Sequence, residues 1–144
     1  MVWRPRVTVA AVIEREGRLL MVEERRGGRL LLNQPAGHLE SGESLIQAVV
    51  REVLEETAWD FLPQALIGLY RWRSADGDTF LRAAFAGEPL YWHEERALDP
   101  DIERCLWVAP TELAQHALRS PLVARCVEDY LAGARYPLAL LSDL

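Results

Sequence analysis

The sequence predicts an α/β or α+β domain, and three observations carry the prediction. Alternating apolar residues open the chain as a strand and its return, Val7 to Ile13 and Leu19 to Val22. A strongly patterned helix follows, with leucine, isoleucine and valine on one broad stripe from Leu45 to Leu54. Further apolar runs alternate with turn residues and lead to a second helix near the C-terminus. This alternation sets the class without choosing a topology. The chain has 144 residues, half of them hydrophobic, which suits one domain over residues 1–144 with one core of ordinary size.

Taken in order, the first strand ends at Glu14, residues 15–18 turn the chain, and Leu19 to Val22 close a hairpin. Glu23 to Arg29 reads as a charged loop with glycine punctuation at Gly27 and Gly28. Leu30 to Leu32 is a short strand, and residues 33–38 are a loop in which Pro35 fixes the chain and Gly37 permits close backbone approach to a ligand. Ser44 followed by Gln47 is a capping-box pattern, so the helix begins near Ser44 or Leu45. Asp60 to Gln64 reads as a loop containing Pro63. Ala65 to Trp72 and Thr79 to Ala86 are antiparallel strands joined by the turn at residues 74–78. Glu88 to Asp99 is irregular and acidic, suited to a pocket wall or lid, and residues 101–108 lead into another strand. Pro110 to Leu113 begins a helix with Thr111 or a neighbour as cap, and Pro121 opens a last helix through about Leu131.

Composition narrows the partners. A net charge of -6 argues against a general nucleic-acid or membrane surface, leaving small phosphate-rich molecules approached through local arginines and metal. Two cysteines, Cys105 and Cys126, are too few for a disulfide framework. With no secretory signal pattern and no apolar run of about 18 residues, the expectation is a cytoplasmic protein, monomer or homodimer.

The chemistry is concentrated on the first helix. Glu52, Glu55 and Glu56 stand at i, i+3 and i+4, which gathers three carboxylates on one face. Like charges at that spacing each cost about 0.2–0.5 kcal/mol, and acids disfavour the C-terminal end of a helix. Arg51 is the only basic residue in the helix and cannot neutralise them together with Glu43. A divalent cation can. The donors are hard oxygens without a cysteine or histidine cluster, so magnesium, or manganese in its place, suits them better than zinc. Taken alone, an E-x-x-E-E run is a solvated acidic face.

The surrounding spacing changes that reading. Gly37, Glu43, Arg51-Glu52, Val53 and Glu55-Glu56 stand at the offsets of the Nudix box, G-x5-E-x7-R-E-U-x-E-E-x-G-U, over residues 37–59, and the chain resembles the Nudix hydrolase superfamily. Ala58 stands where the family has glycine; in a left-handed C-cap an alanine costs roughly 1 kcal/mol. The segments NQPAGHLE (33–40), FLR (80–82), LRSPLVA (118–124) and RYPL (135–138) resemble a bacterial phosphatase subgroup of that family.

The resemblance implies an α/β/α sandwich with a mixed, curved sheet, and a magnesium-dependent hydrolase of phosphoanhydrides. For the subgroup it implies orthophosphate release from nucleoside di- and triphosphates and from hydroxymethylpyrimidine pyrophosphate. The alternatives are a Nudix enzyme cleaving ADP-ribose or dinucleoside polyphosphates, and a ligand-binding module of the same fold without turnover. The implied metal ligands are the Gly37 carbonyl, Glu52, Glu55 and Glu56, with Asp101, six residues before Trp107, as a further candidate and Glu103 its rival. Glu52 is the candidate general base or the group that orients it; Arg51, with Glu43 beside it, holds the glutamates. Arg25, Arg26 and Arg29 are candidates for substrate phosphates, Arg29 foremost, although each alone reads as a loop charge. Tyr70, Trp72, Phe80 and Arg82 on adjacent strands offer rings for a base and a cation for a phosphate, with core packing as the competing reading. His38 is either a loop residue or a phosphate contact and proton donor.

Overall fold

The computed structural model describes residues 1–144. Strands β1 (Arg6–Arg15) and β2 (Arg18–Arg26) form the expected hairpin, with Glu16 and Gly17 at positive φ in the turn. Glu23 to Arg26, expected as loop, continue β2. Strand β3 (Arg29–Asn33) pairs with residues 22–26 of β2, and β7 (Ile102–Val108) pairs with residues 19–24. Backbone pairing along both sides of β2 outweighs the weak strand propensity of glutamate. Strand β4 (Ala36–His38), also expected as loop, pairs antiparallel with Thr8 to Ala10 of β1.

The long hairpin of β5 (Trp59–Arg73) and β6 (Thr79–Trp92) reaches further than the sequence suggested at both ends. Residues 60–64 and 88–92 pair with one another instead of looping, with breaks in register on either side, between Trp59 and Phe61 and between Pro63 and Ala65. Pro63 is tolerated because β5 is an edge strand. The strand order is β3-β2-β1-β6-β5, with β1 and β6 parallel and the remaining pairs antiparallel, so the sheet is mixed.

Helix α1 (Leu45–Thr57) is capped as its sequence requires. The Gln47 N–H donates to Ser44 Oγ at 3.1 Å and the Ser44 N–H donates to Gln47 Oε1 at 2.8 Å. It ends on Ala58 at φ 63°, whose N–H reaches the Leu54 carbonyl at 2.9 Å. The left-handed cap is therefore kept without glycine. Val49 and Val53 of α1 are fully buried against Val9, Ala11, Ile13 and Phe85, each contributing about 1.5–3 kcal/mol. On the other face of the sheet, helix α2 (Pro121–Leu131), capped by Ser120, packs Val123, Cys126 and Val127 on Val12, Met21, Ile67 and Ala84. The result is the expected sandwich of helix, sheet and helix. Residues 110–115 form a 3-10 turn rather than an α-helix, preceded by Ala109 with no side-chain cap, so Thr111 does not serve that role. Tyr136 exchanges backbone hydrogen bonds with Leu66 and covers part of the β5 edge.

Candidate active site

The site lies where α1 faces β4. At Gly37 a Cβ would overlap the carboxyl group of Glu52, so only glycine lets β4 and the helix approach this closely. Glu52 and Glu56, one helical turn apart, are each only 7% exposed. The Ala36 N–H donates to Glu56 Oε1 at 2.9 Å. The Asp99 N–H donates to the Glu55 carbonyl at 2.9 Å and draws the chain after β6 back to the helix. One carboxylate oxygen from each of Glu52, Glu56 and Asp99 then falls within 4.8 Å of the others.

That proximity is expensive for charge. Burial pushes the Glu52 carboxyl up to about 7 and the Glu56 carboxyl up to about 9. Asp99 is raised as well, by burial first and then by Glu55 and Asp101. Arg51 offers partial relief. Its guanidinium donates to Glu43 at 2.7 and 3.0 Å, to Glu52 Oε1 at 2.9 Å, to Glu55 Oε1 at 3.3 Å and to the His38 carbonyl at 3.0 Å. This guanidinium holds the Glu43 carboxyl below its usual range. Glu52 Oε2 accepts no hydrogen bond from the chain, and no second cation pairs with Glu56 or Asp99. A buried set of carboxylate oxygens that repel one another fits a hard divalent cation.

The opposite wall of the same cavity, about 360 Å³ in volume, is basic and aromatic, with Arg26, Arg82, Arg119, Trp72 and Phe80. Arg82 is only 5% exposed. It donates to Gln34 Oε1 at 2.9 Å and Asn33 Oδ1 at 3.3 Å, while its Nε has no partner. A buried guanidinium served only by amide oxygens and the Cys126 sulfur at 3.8 Å, with no carboxylate, calls for an anion. Trp72 and Phe80 stack with centroids 5.4 Å apart at the rim. His38 also lines the cavity, and burial, followed by Arg6 and Arg26, holds its imidazole below the usual range.

The structure thus brings together Gly37, His38, Arg51, Glu52, Glu55, Glu56, Trp72, Phe80, Arg82 and Arg26. Asp101 is exposed and lies off the cavity wall; Asp99, two residues earlier, lines it and approaches Glu52 and Glu56. Glu103 instead accepts from Arg25 at 3.3 Å on the surface. Arg29 is exposed and outside the cavity. Tyr70 is also outside it, because its hydroxyl donates to Asp129 at 2.7 Å and ties β5 to α2. Sequence reasoning missed Asp99 and Arg119. Asp99 carries no local signal, since a backbone hydrogen bond to a residue 44 positions earlier places it. Arg119 also lacks a local signal, since its placement rests on Glu24 and the Leu32 carbonyl, both far away in sequence.

Comparison with known proteins agrees with this geometry. Residues 3–129 match the NUDIX domain family. The chain is 44% identical over 142 residues to Phosphatase NudJ of Escherichia coli K12, covering 98% of this chain and 93% of the relative. The solved structure of a NUDIX hydrolase from Nitrosomonas europaea is 50% identical, with a TM-score of 0.96 over 98% of both chains. An ADP-ribose pyrophosphatase from Streptococcus suis shares the fold at 17% identity, with a TM-score of 0.70 over 92% of this chain and 96% of that one.

Proposed function

This chain is a Nudix hydrolase, and from that premise we propose that it is a magnesium-dependent phosphatase of small phosphoanhydrides. Its substrates on this reading are nucleoside di- and triphosphates and hydroxymethylpyrimidine pyrophosphate, from which it releases orthophosphate. One observation carries the reading: a single cavity sets the carboxylates of Glu52, Glu56 and Asp99 against the buried guanidinium of Arg82, which has no carboxylate partner and whose Nε has no hydrogen bond. The extended similarity to a bacterial phosphatase supports the choice of bond. Manganese can substitute for magnesium in such an oxygen set.

Glu52, Glu56 and Asp99 would hold the cation, with Glu55 and the Gly37 carbonyl beside them. When bound, the cation supplies neutralisation and Lewis acidity toward the phosphate oxygens. Arg51 fixes Glu52 through Oε1 and leaves Oε2 free to accept a proton. In the metal-free site burial raises this carboxyl, and a bound cation would lower it again, so Glu52 serves as the group that takes or orients the water proton by its position. In the reaction a water oxygen bonds to one phosphorus of the terminal anhydride and its proton passes to Glu52 Oε2. The bridging P–O bond breaks, and its electron pair leaves with the departing phosphate oxygen. Arg82 meets phosphate charge, and the Trp72–Phe80 stack offers a ring surface to the base or pyrimidine.

The experiment is orthophosphate release, with and without magnesium, from GDP, GTP, hydroxymethylpyrimidine pyrophosphate and ADP-ribose. Metal-dependent orthophosphate from the first three supports the reading. Cleavage of ADP-ribose alone moves the enzyme to internal pyrophosphate bonds, and silence across the panel overturns the assignment.

A further inference from the structure

Outside the Nudix box, one buried acid in the cavity is not used by the mechanism above. Glu24 sits near the end of β2 and is 4% exposed, a rare state for a carboxylate without partners. Asn33 Nδ2 donates to its Oε1 at 3.3 Å. Its Oε2 accepts no hydrogen bond but lies 3.6 Å from Arg26 Nε and 3.5 Å from Arg119 Nε. Arg26 comes from the end of β2, and Arg119 from the segment before α2, where its N–H is tied to the Leu32 carbonyl at 2.8 Å. One oxygen therefore brings two guanidiniums from distant parts of the chain within about 7 Å of each other. Asn33 also accepts from Arg82 through Oδ1, so Glu24, directly or through one amide, organises three arginines of the cavity wall.

The charge count indicates what this wall receives. Arg26, Arg82 and Arg119 find no carboxylate partner other than Glu24, so this wall carries two uncompensated positive charges. A phosphate with a free end carries close to two negative charges above neutral pH. A phosphate esterified on both sides carries one. We propose that Glu24 is a positioning residue that gathers Arg26, Arg119 and, through Asn33, Arg82 into a receptor for the substrate's terminal phosphate dianion. This inference deepens the phosphatase reading and rests on it, because a receptor for the free end places the terminal anhydride at the carboxylates. It makes Glu24 and its arginines the selectors of orthophosphate release over cleavage of an internal pyrophosphate bond.

The test is calorimetric titration of magnesium-loaded protein at pH 8 with inorganic phosphate and with dimethyl phosphate, for the natural chain, Glu24→Gln and Arg119→Ala. Arg119 is partly exposed, so its variant keeps the test open if Glu24→Gln does not fold. The natural chain should prefer phosphate at least 10-fold, and both variants should lose most of that preference. Glu24→Gln is the sharper arm. Removing a negative charge should strengthen anion binding if the acid acts only through charge, and weaken it if the acid positions the arginines. Equal binding of the two probes by the natural chain, or tighter phosphate binding by Glu24→Gln, would overturn the proposal. Turnover adds a second readout: Arg119→Ala should raise the KM for GDP at least 10-fold, with kcat changed less than 3-fold. Phosphate preference without hydrolysis of any phosphoanhydride would uphold the receptor and sink the phosphatase reading. Hydrolysis without phosphate preference would do the reverse.

Discussion

Without metal, the carboxylate cluster should make the protein less stable as pH rises, and Glu56 permits the effect to be sized. Its carboxyl is ordinarily near 4.5 and is pushed up to about 9 by burial. Between pH 7 and 8 it stays protonated in the fold and is ionised in the unfolded chain. The native state then binds one more proton than the unfolded state, so stability falls with slope about 1.4 kcal/mol per pH unit. Stability from this group is fully present below the unfolded value and is lost as pH climbs toward 9. Glu52, held at about 7, acts with the same sign and is largely spent by pH 8. His38 has the opposite sign: burial, followed by Arg6 and Arg26, holds its imidazole below the usual 6.5, so its contribution grows as pH rises through the unfolded value. Cys105, pushed up to about 12, acts only once an unfolded thiol ionises, above about pH 8.

A loss of about 1.4 kcal/mol across that unit corresponds to a Tm decrease of roughly 5 °C for a chain of this size. The assay is thermal melting in chelator at pH 7.0, 7.5 and 8.0, for the natural chain and for Glu56→Gln. The natural chain should show the decrease, the variant should show little of it, and saturating magnesium should remove it, because cation binding favours the ionised carboxylates. A Tm in chelator that is flat or rises with pH, or the same slope in Glu56→Gln, would refute the reasoning.

Other substitutions probe the site and its support. Glu52→Gln should lower kcat by about 100- to 10,000-fold while the protein remains folded, as a cooperative melt shows; a near-normal rate removes Glu52 from the base role. Gly37→Ala should force the Glu52 carboxylate aside, seen as at least a 10-fold higher magnesium concentration for half-maximal activity, and normal metal dependence would contradict the packing. Ala58→Gly should stabilise the protein by about 1 kcal/mol by relieving the left-handed cap at φ 63°. A lower Tm in that variant would show that flexibility gained by the unfolded chain outweighs the strain.

What the sequence disclosed and what it hid divide along one physical line. Helix α1 was legible because its cap, its apolar stripe and its acids are all local in sequence, and the box spacing added Gly37 and Glu43 within one short stretch. The same reasoning misjudged β2. Glu23 and Glu24 read as loop charges because their partners Arg104 and Arg119 are 81 and 95 residues away. Residues 60–64 and 88–92 failed for a related reason: two prolines, Pro63 and Pro89, and two acids, Asp60 and Glu88, discourage strand assignment until the two segments are seen to pair.

The site obeys the same rule and shows what it means for function. The carboxylate half of the cavity is encoded mostly in about 20 consecutive residues, so its spacing identifies it, with Asp99 added from the segment after β6. The basic and aromatic half draws on β2, β5, β6 and the approach to α2, and no single stretch reveals it. Arg82 was anticipated because it shares a hairpin with Trp72, whereas Arg119 was not, because its position depends on a buried acid on another strand. Substitutions on the substrate-facing wall can therefore change which phosphate is held without touching the carboxylates. In this architecture the reaction is fixed by a local motif and its selectivity by tertiary contacts, so Glu24, rather than any residue of the box, is where a change of substrate should begin.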